Sequence, residues 1–407
     1  MSEHGGPVAA MHEPFPTSEP PRSAELERGI GAPRQFSISH GPALRLLHRL
    51  HLTRADGSLR GLALVVIAWV PLFAGALLRV AIGDRPAPIL FDLSVHARLL
   101  IGIPLLIHAE RILEQRCRGA VDQLYREGFA ERASVDRIID RAGRLRDARL
   151  VEVAMLVLVV AGAQALLWGV FGPTGLFSGI SEGGELSFAR FWYMTVSWPI
   201  AQVLFLRWLW QWTIWSYVLV RVSRLPLATH VTHPDHAAGL GFLGGPIQGF
   251  AGFVLAIAVV LASAWGTQIL AGRAPQSFVP SFAGFLVLAI AAGCGPLLGF
   301  VGILNRVRHR EIAQYHGLAL DYVRAFHHKW IARRVDTEQL LGTPDLQALN
   351  DLCGAYESLV RVRLVPFGRQ QIKIIGVAAM IPMIPLAATV VPLEELIRTI
   401  GKAILGG

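Results

Sequence analysis

An all-α, polytopic membrane protein with seven transmembrane helices is the fold class this sequence predicts, and three observations predict it. Of 407 residues, 53% are hydrophobic and only 16% charged, more apolar surface than a soluble chain of this size can hide. The apolar residues gather in stretches near the roughly 20 residues that a helix needs to cross a bilayer, separated by charged or turn-rich connections. Lys and Arg are unevenly spread: 30 of the 38 fall on alternate connections that share one side of the membrane. The positive-inside rule then places the N-terminus in the cytoplasm and the C-terminus outside.

Taken in order, residues 1–42 are rich in Pro, Gly, Ser and Glu and lack a secretory apolar core, so a disordered cytoplasmic tail is expected. Within 43–60, Ala43 to Leu52 sets leucines against Arg45, His48, Arg49 and His51, the pattern of a helix lying on an anionic membrane surface. Gly61 to Ile82 is the first span. The second must draw in residues from Ile89 to Ile112, because Leu99 to Leu106 alone is too short. Its helix continues to Gly128, a suitable left-handed stop, and a helix capped by Ser134 runs back unbroken into the third span, Val151 to Phe171, making a cytoplasmic hairpin over 110–149. A turn-rich outer loop leads to Phe191 to Val222, about 48 Å of helix at 1.5 Å per residue and longer than the membrane requires. Six tryptophans mark its two ends as headgroup anchors.

Phe250 to Leu270 and Phe282 to Leu304 are the fifth and sixth spans. In the sixth, Gly295, Gly299 and Gly302 predict a bare face for close helix approach, and Pro296 permits a kink. Ile312, Tyr315, Ala319, Val323, Phe326 and Trp330 carry its helical period into the cytoplasm, and a helix opened by Thr343-Pro344-Asp345 is expected to pack on it, the pair filling 305–372. The seventh span, Ile374 to Val391, is broken by Pro382 and Pro385, and a short amphipathic piece closes the 373–407 segment.

Three cysteines, Cys117, Cys294 and Cys353, lie too far apart in sequence for a CxxC zinc ribbon or a disulfide framework. No Walker A, HExxH or GxSxG pattern occurs. The +9 net charge reads as topology, with the anionic cytoplasmic leaflet as its counter-surface and no nucleic-acid partner. The expected location is the cell membrane, the inner membrane in a bacterial cell.

Candidate chemistry sits in a few places. His230, His233, Asp235 and His236 have the donor types of a divalent metal site, the one cofactor the chain suggests, while Pro234 and Asp235 read equally as the opening of a helix. Gly239, Gly241 and Gly244 spell GxGxxG, but between membrane helices rather than in a βαβ unit they serve a tight return of the chain. Asp92 and His96 are four apart, hence on one helix face, with Arg98 nearby; ionisable groups at membrane depth are functional candidates, and the alternative is that Asp92 caps the helix in water. Arg207, flanked by Gln202 and Gln211, is either a cation snorkelling toward the inner interface or a residue with a pore or ion-pair role. No carboxylate falls mid-span, which leaves a proton relay without an evident carrier.

The plan as a whole, with its long cytoplasmic return between spans six and seven and a C-terminus just outside, resembles the seven-helix channel superfamily that includes insect chemoreceptors. That resemblance implies a homo-oligomeric ion channel whose seventh helices line a shared pore, here with Ile381, Pro382, Ile384, Pro385 and Val391. Two other readings stand beside it: a membrane-embedded metal protein or metal-dependent enzyme on the histidine group, and a scaffold or sensor that docks partners on its basic helices.

Overall fold

A computed structural model of the chain describes residues 36–38, 57–82, 90–167, 188–229, 231, 233–332 and 343–387. These form helices and no strand. Five of the helices are long and apolar enough to cross a membrane: 61–81, 93–126, 241–270, 275–332 and 369–387. The predicted third and fourth spans fall on two further helices, while the amphipathic helix at 43–52, the closing piece at 393–405 and Val391 lie outside the described residues.

Helix α1 (Gly57–Ala81) buries Ala68, Leu72 and Ala76, spaced four apart, and turns Leu62, Leu77 and Leu78 outward, as a helix between protein and lipid must. Helix α2 (Leu93–Arg126) is continuous through one π-helical segment, Ala97–Gly102, and stops where Gly128 takes a φ of +64°, the left-handed conformation that glycine adopts without a Cβ clash. Helix α3 (Arg132–Arg146) starts two residues before Ser134 and presses Val135, Ile138, Ile139 and Ala142 inward. It does not run on into the third span. The chain breaks at Asp147 and Ala148 before α4 (Arg149–Leu167), where Arg146 grips the Asp147 carboxylate at 3.0 and 2.7 Å and also bonds the Ser37 carbonyl.

Phe36 and Ile38, from the stretch expected to be tail, are buried in the main core; the Ile38 amide donates to Glu114 of α2 at 2.7 Å.

Helix α5 (188–222) contains a second π-helical segment, Tyr193–Ser197. Its inner tryptophans depart from the headgroup expectation. Trp208, Trp212 and Trp215 are buried: α6 (Ile247–Leu270) lays Phe250 against Trp208 and Trp212, and Trp208 stacks on Phe253 with centroids 3.9 Å apart. Their indole area is thus hidden in helix packing rather than at the lipid boundary.

Helix α6 is the centre of the bundle, touching α2, α7 (Pro275–Ala332) and α9 (Arg369–Ala387). Its close approach to α2 is set by Gly249, where a Cβ would lie 2.7 Å from the Leu113 backbone, and by Gly252 opposite Ala109. Gly249→Ala is therefore expected to push the two helices apart. A cost of about 1–3 kcal/mol, typical of overpacking, outweighs the better helix propensity of alanine and reads out as earlier thermal unfolding in detergent.

In α7 the expected glycine face is redrawn. Pro296 lies in a 3₁₀ stretch, Gly295–Phe300, which changes the rotation per residue and takes the three glycines off a common stripe. Gly299 packs on Ser223 and Gly293 on Phe250 and Ile375, while Gly295 and Gly302 face open space. Beyond the bundle α7 continues to Ala332 and α8 (Pro344–Val360) packs on it as predicted: Asp345 accepts from Lys329 at 2.6 Å and from the Trp330 indole at 3.0 Å, and Arg308 donates to the Val360 carbonyl. The Lys329 and Trp330 hydrogen bonds lower the Asp345 pKa.

Candidate functional site

Helices α2 and α5 run side by side and carry two polar stations. The first lies where α2 turns from apolar to charged. Arg207 donates to Glu110 at 2.6 Å, and the Gln211 amide donates to the same carboxylate oxygen at 2.8 Å. Arg207 and Glu110 are shielded to 18% and 17% side-chain exposure, and Gln211 is buried. Arg207 and Gln211 are one turn apart on α5, so a single carboxylate across the interface can take both. Gln202 belongs elsewhere: its amide packs over Gly162 of α4, with its Oε1 buried and unbonded.

Glu110 is the functional candidate that sequence reasoning passed over. It stands at the inner end of the second span as drawn, next to Arg111, where a carboxylate reads as interfacial. The signal available was the presence of Arg207 and Gln211 one turn apart on another long helix, which calls for an acceptor.

The second station joins α1, the start of α2 and the π-helical turn of α5. Asp92 is the N-cap of α2 and accepts from the Ser94 amide at 2.9 Å, the Ser94 hydroxyl at 2.6 Å and the Val95 amide at 3.4 Å. The helix begins at Leu93, so Asp92 and His96 do not share a helical face, and the cap is 5% exposed rather than in water. Arg98 is 6% exposed; its guanidinium donates to the Tyr193 hydroxyl and lies 4.7 Å over the Trp198 ring. Two of the three π-helical segments among the described residues meet here, one carrying Arg98 and the other Tyr193, and such local unwinding is frequent at functional sites.

The histidine stretch is a loop, not a helix start. Asp235 faces inward and takes three backbone amides: Ala237 at 2.8 Å and Gly239 at 3.0 Å on one oxygen, Gly241 at 2.8 Å on the other. Partial burial raises its pKa, but these amides and His233 outweigh that and lower it overall. His236, Ala238 and Gly239 have φ of 51°, 56° and 87°, three left-handed residues in a loop that the Asp235 bonds hold in place.

The loop is also a joint. The Ala228 amide donates to the Phe129 carbonyl at 2.8 Å, Phe129 stacks on Phe242, and Arg363 bonds the carbonyls of Asp235 and His236. The hairpin tip and the lead-in to α9 are thereby tied to one loop. His233 sits 3.0 Å from Asp235, His230 lies outside the described residues, and among the described residues no three metal-binding side chains converge. In α9, Ile381 and Pro382 fall in a 3₁₀ turn, followed by Ile384 and Pro385 in a final helical turn; Ile381 and Ile384 face outward.

Comparison with known proteins found no matching family model, no matching curated protein and no matching solved structure.

Proposed function

We propose that this chain is a seven-span membrane protein that moves an ion or small solute across the bilayer, in the manner of a channel or transporter. The Glu110–Arg207–Gln211 station carries this reading. An acid and a base shielded together at the inner end of a helix pair are costly to place in an apolar bundle, and in membrane helices such groups mark substrate or ion pathways. An ion pair that can open and reclose is a gate for a charged species.

The bilayer with its anionic cytoplasmic leaflet is the partner that the basic helix ends require. The outward Met380, Ile381 and Ile384 of α9 suit association of several copies through their seventh helices, the arrangement implied by the resemblance to the chemoreceptor-like channels. For the metal reading, the Asp235 carboxylate is already committed to amides, so no observation favours it over transport.

The test is reconstitution of the purified protein in planar bilayers and in loaded liposomes. Wild type is expected to conduct or to release solute, and Glu110→Gln or Arg207→Gln to change that rate at least about tenfold, the equivalent of 1.4 kcal/mol on the gate. Electrical silence and absence of solute flux across ions, ligands and voltages would overturn the reading.

A further inference from the structure

We propose that His96 is a pH-sensitive latch between the first two membrane helices, set at the end of the bundle opposite the prolonged helices. The Trp69 indole of α1 donates to His96 Nδ1 at 3.0 Å, and His96 Nε2 lies 2.9 Å from the Leu90 carbonyl. An indole N–H can only donate, so Nδ1 must present its lone pair and the ring proton must sit on Nε2, where it donates to Leu90. Both nitrogens are satisfied by one tautomer of the neutral ring and by no other protonation state.

The surroundings make that state matter. Trp69 stacks on Phe73 at 4.7 Å, and both rings meet the imidazole edge on, at 6.2 and 6.4 Å. Ala68, Leu72, Val95 and Leu99 complete an apolar cluster around them. A proton added at Nδ1 sets N–H against N–H, abolishes the Trp69 bond and leaves a cation in that cluster.

The charged groups flanking His96 are Asp92 and Arg98 on its own helix, Tyr193 of α5 holds Arg98, and α6, packed against Leu93–His96, carries no titratable residue. Asp92 favours the cation, but its carboxylate is engaged by Ser94 and Val95; Arg98 opposes it, and its guanidinium is held by Tyr193 and Trp198. Helix α1 brings Trp69 and Phe73 to the ring, and its two cations, Arg60 and Arg79, lie nine and ten residues from Trp69 along the chain. Imidazole is the side chain that changes charge between pH 5 and 8. Acidification on that side of the membrane therefore releases α1 from the start of α2. The latch stands independently of the transport reading, since it concerns a helix contact and not a solute.

The experiment uses the full chain, labelled with ¹⁵N-histidine and ¹⁵N-tryptophan, in lipid nanodiscs. His96 signals are identified by their loss in His96→Gln and the Trp69 indole by its loss in Trp69→Phe. At pH 8 a bare Nδ1 and a protonated Nε2 are expected. Between pH 8 and 5 the Trp69 indole signal should shift together with His96 titration and stay fixed in His96→Gln, whose amide can accept from Trp69 and donate to Leu90 at any pH. Protonation on Nδ1 at pH 8, or a Trp69 signal that ignores His96 titration, overturns the proposal. Should His96→Gln fail to fold, Trp69→Phe serves alone: with the indole donor gone, the His96 Nδ1 signal at pH 8 should move from its hydrogen-bonded position, and an unmoved Nδ1 signal sinks the latch.

Discussion

Glu110→Ala is expected to destabilise the protein by about 2–4 kcal/mol, measured by thermal or denaturant unfolding in detergent. The figure lies at and below the cost of breaking a fully buried ion pair, because the two side chains keep some exposure. The substitution removes the shared carboxylate that both Arg207 and Gln211 bond, so two donors lose one acceptor. Arg207→Ala should cost a similar amount. The double variant should cost less than the sum by at least about 1 kcal/mol, since either single change already forfeits the same contact. Strict additivity would mean that the 2.6 Å pair contributes nothing specific, and would remove the structural basis for a gate there.

Asp235→Asn is the second substitution with a large expected effect. An asparagine keeps one oxygen for Ala237 and Gly239 but places an amide N–H₂ where Gly241 donates, donor against donor. A loss of about 1–3 kcal/mol follows from one orphaned backbone amide in a half-buried loop. Because Arg363 grips the Asp235 carbonyl, hydrogen exchange should quicken over 236–245 and over 361–368 together.

The pH dependence has a definite sign. The folded Asp235 carboxyl titrates below its ordinary value, so its contribution is complete above the ordinary carboxylate range, near about 3.9, and is lost as pH falls through the folded value. Wild type and Asp235→Asn should therefore differ most near neutral pH and converge in acid. A gap that widens on acidification would contradict the assignment of Asp235 as the charged centre of the loop.

Much of the helix plan was legible because it rests on local rules. Gly128 ending a helix and Pro344 opening one are decisions made within a few residues, and both hold. The period from Ile312 to Trp330 needed only the helical repeat to be seen, and the helix indeed runs to Ala332. Where the reading failed, a distant partner had overridden a local preference. The break at Asp147 involves Arg146 reaching back to Ser37, more than a hundred residues away. Trp208 and Trp212 of α5 went into the core because Phe250 and Phe253 of α6 were there to receive them.

The histidine stretch shows the same division. Its residue types suggested a metal, and its glycines a tight return; only the fold turned Asp235 toward three amides and set Arg363 on its carbonyl. Hydrophobic content, segment lengths and the placement of arginines determined by themselves an all-helical chain with helices long enough to cross a membrane, since those properties are additive along the sequence. Which carboxylate meets Arg207, and which indole meets His96, was decided by tertiary structure alone. An ion pair or a hydrogen bond depends on a few ångströms between helices, and that distance is written in no single segment of the chain.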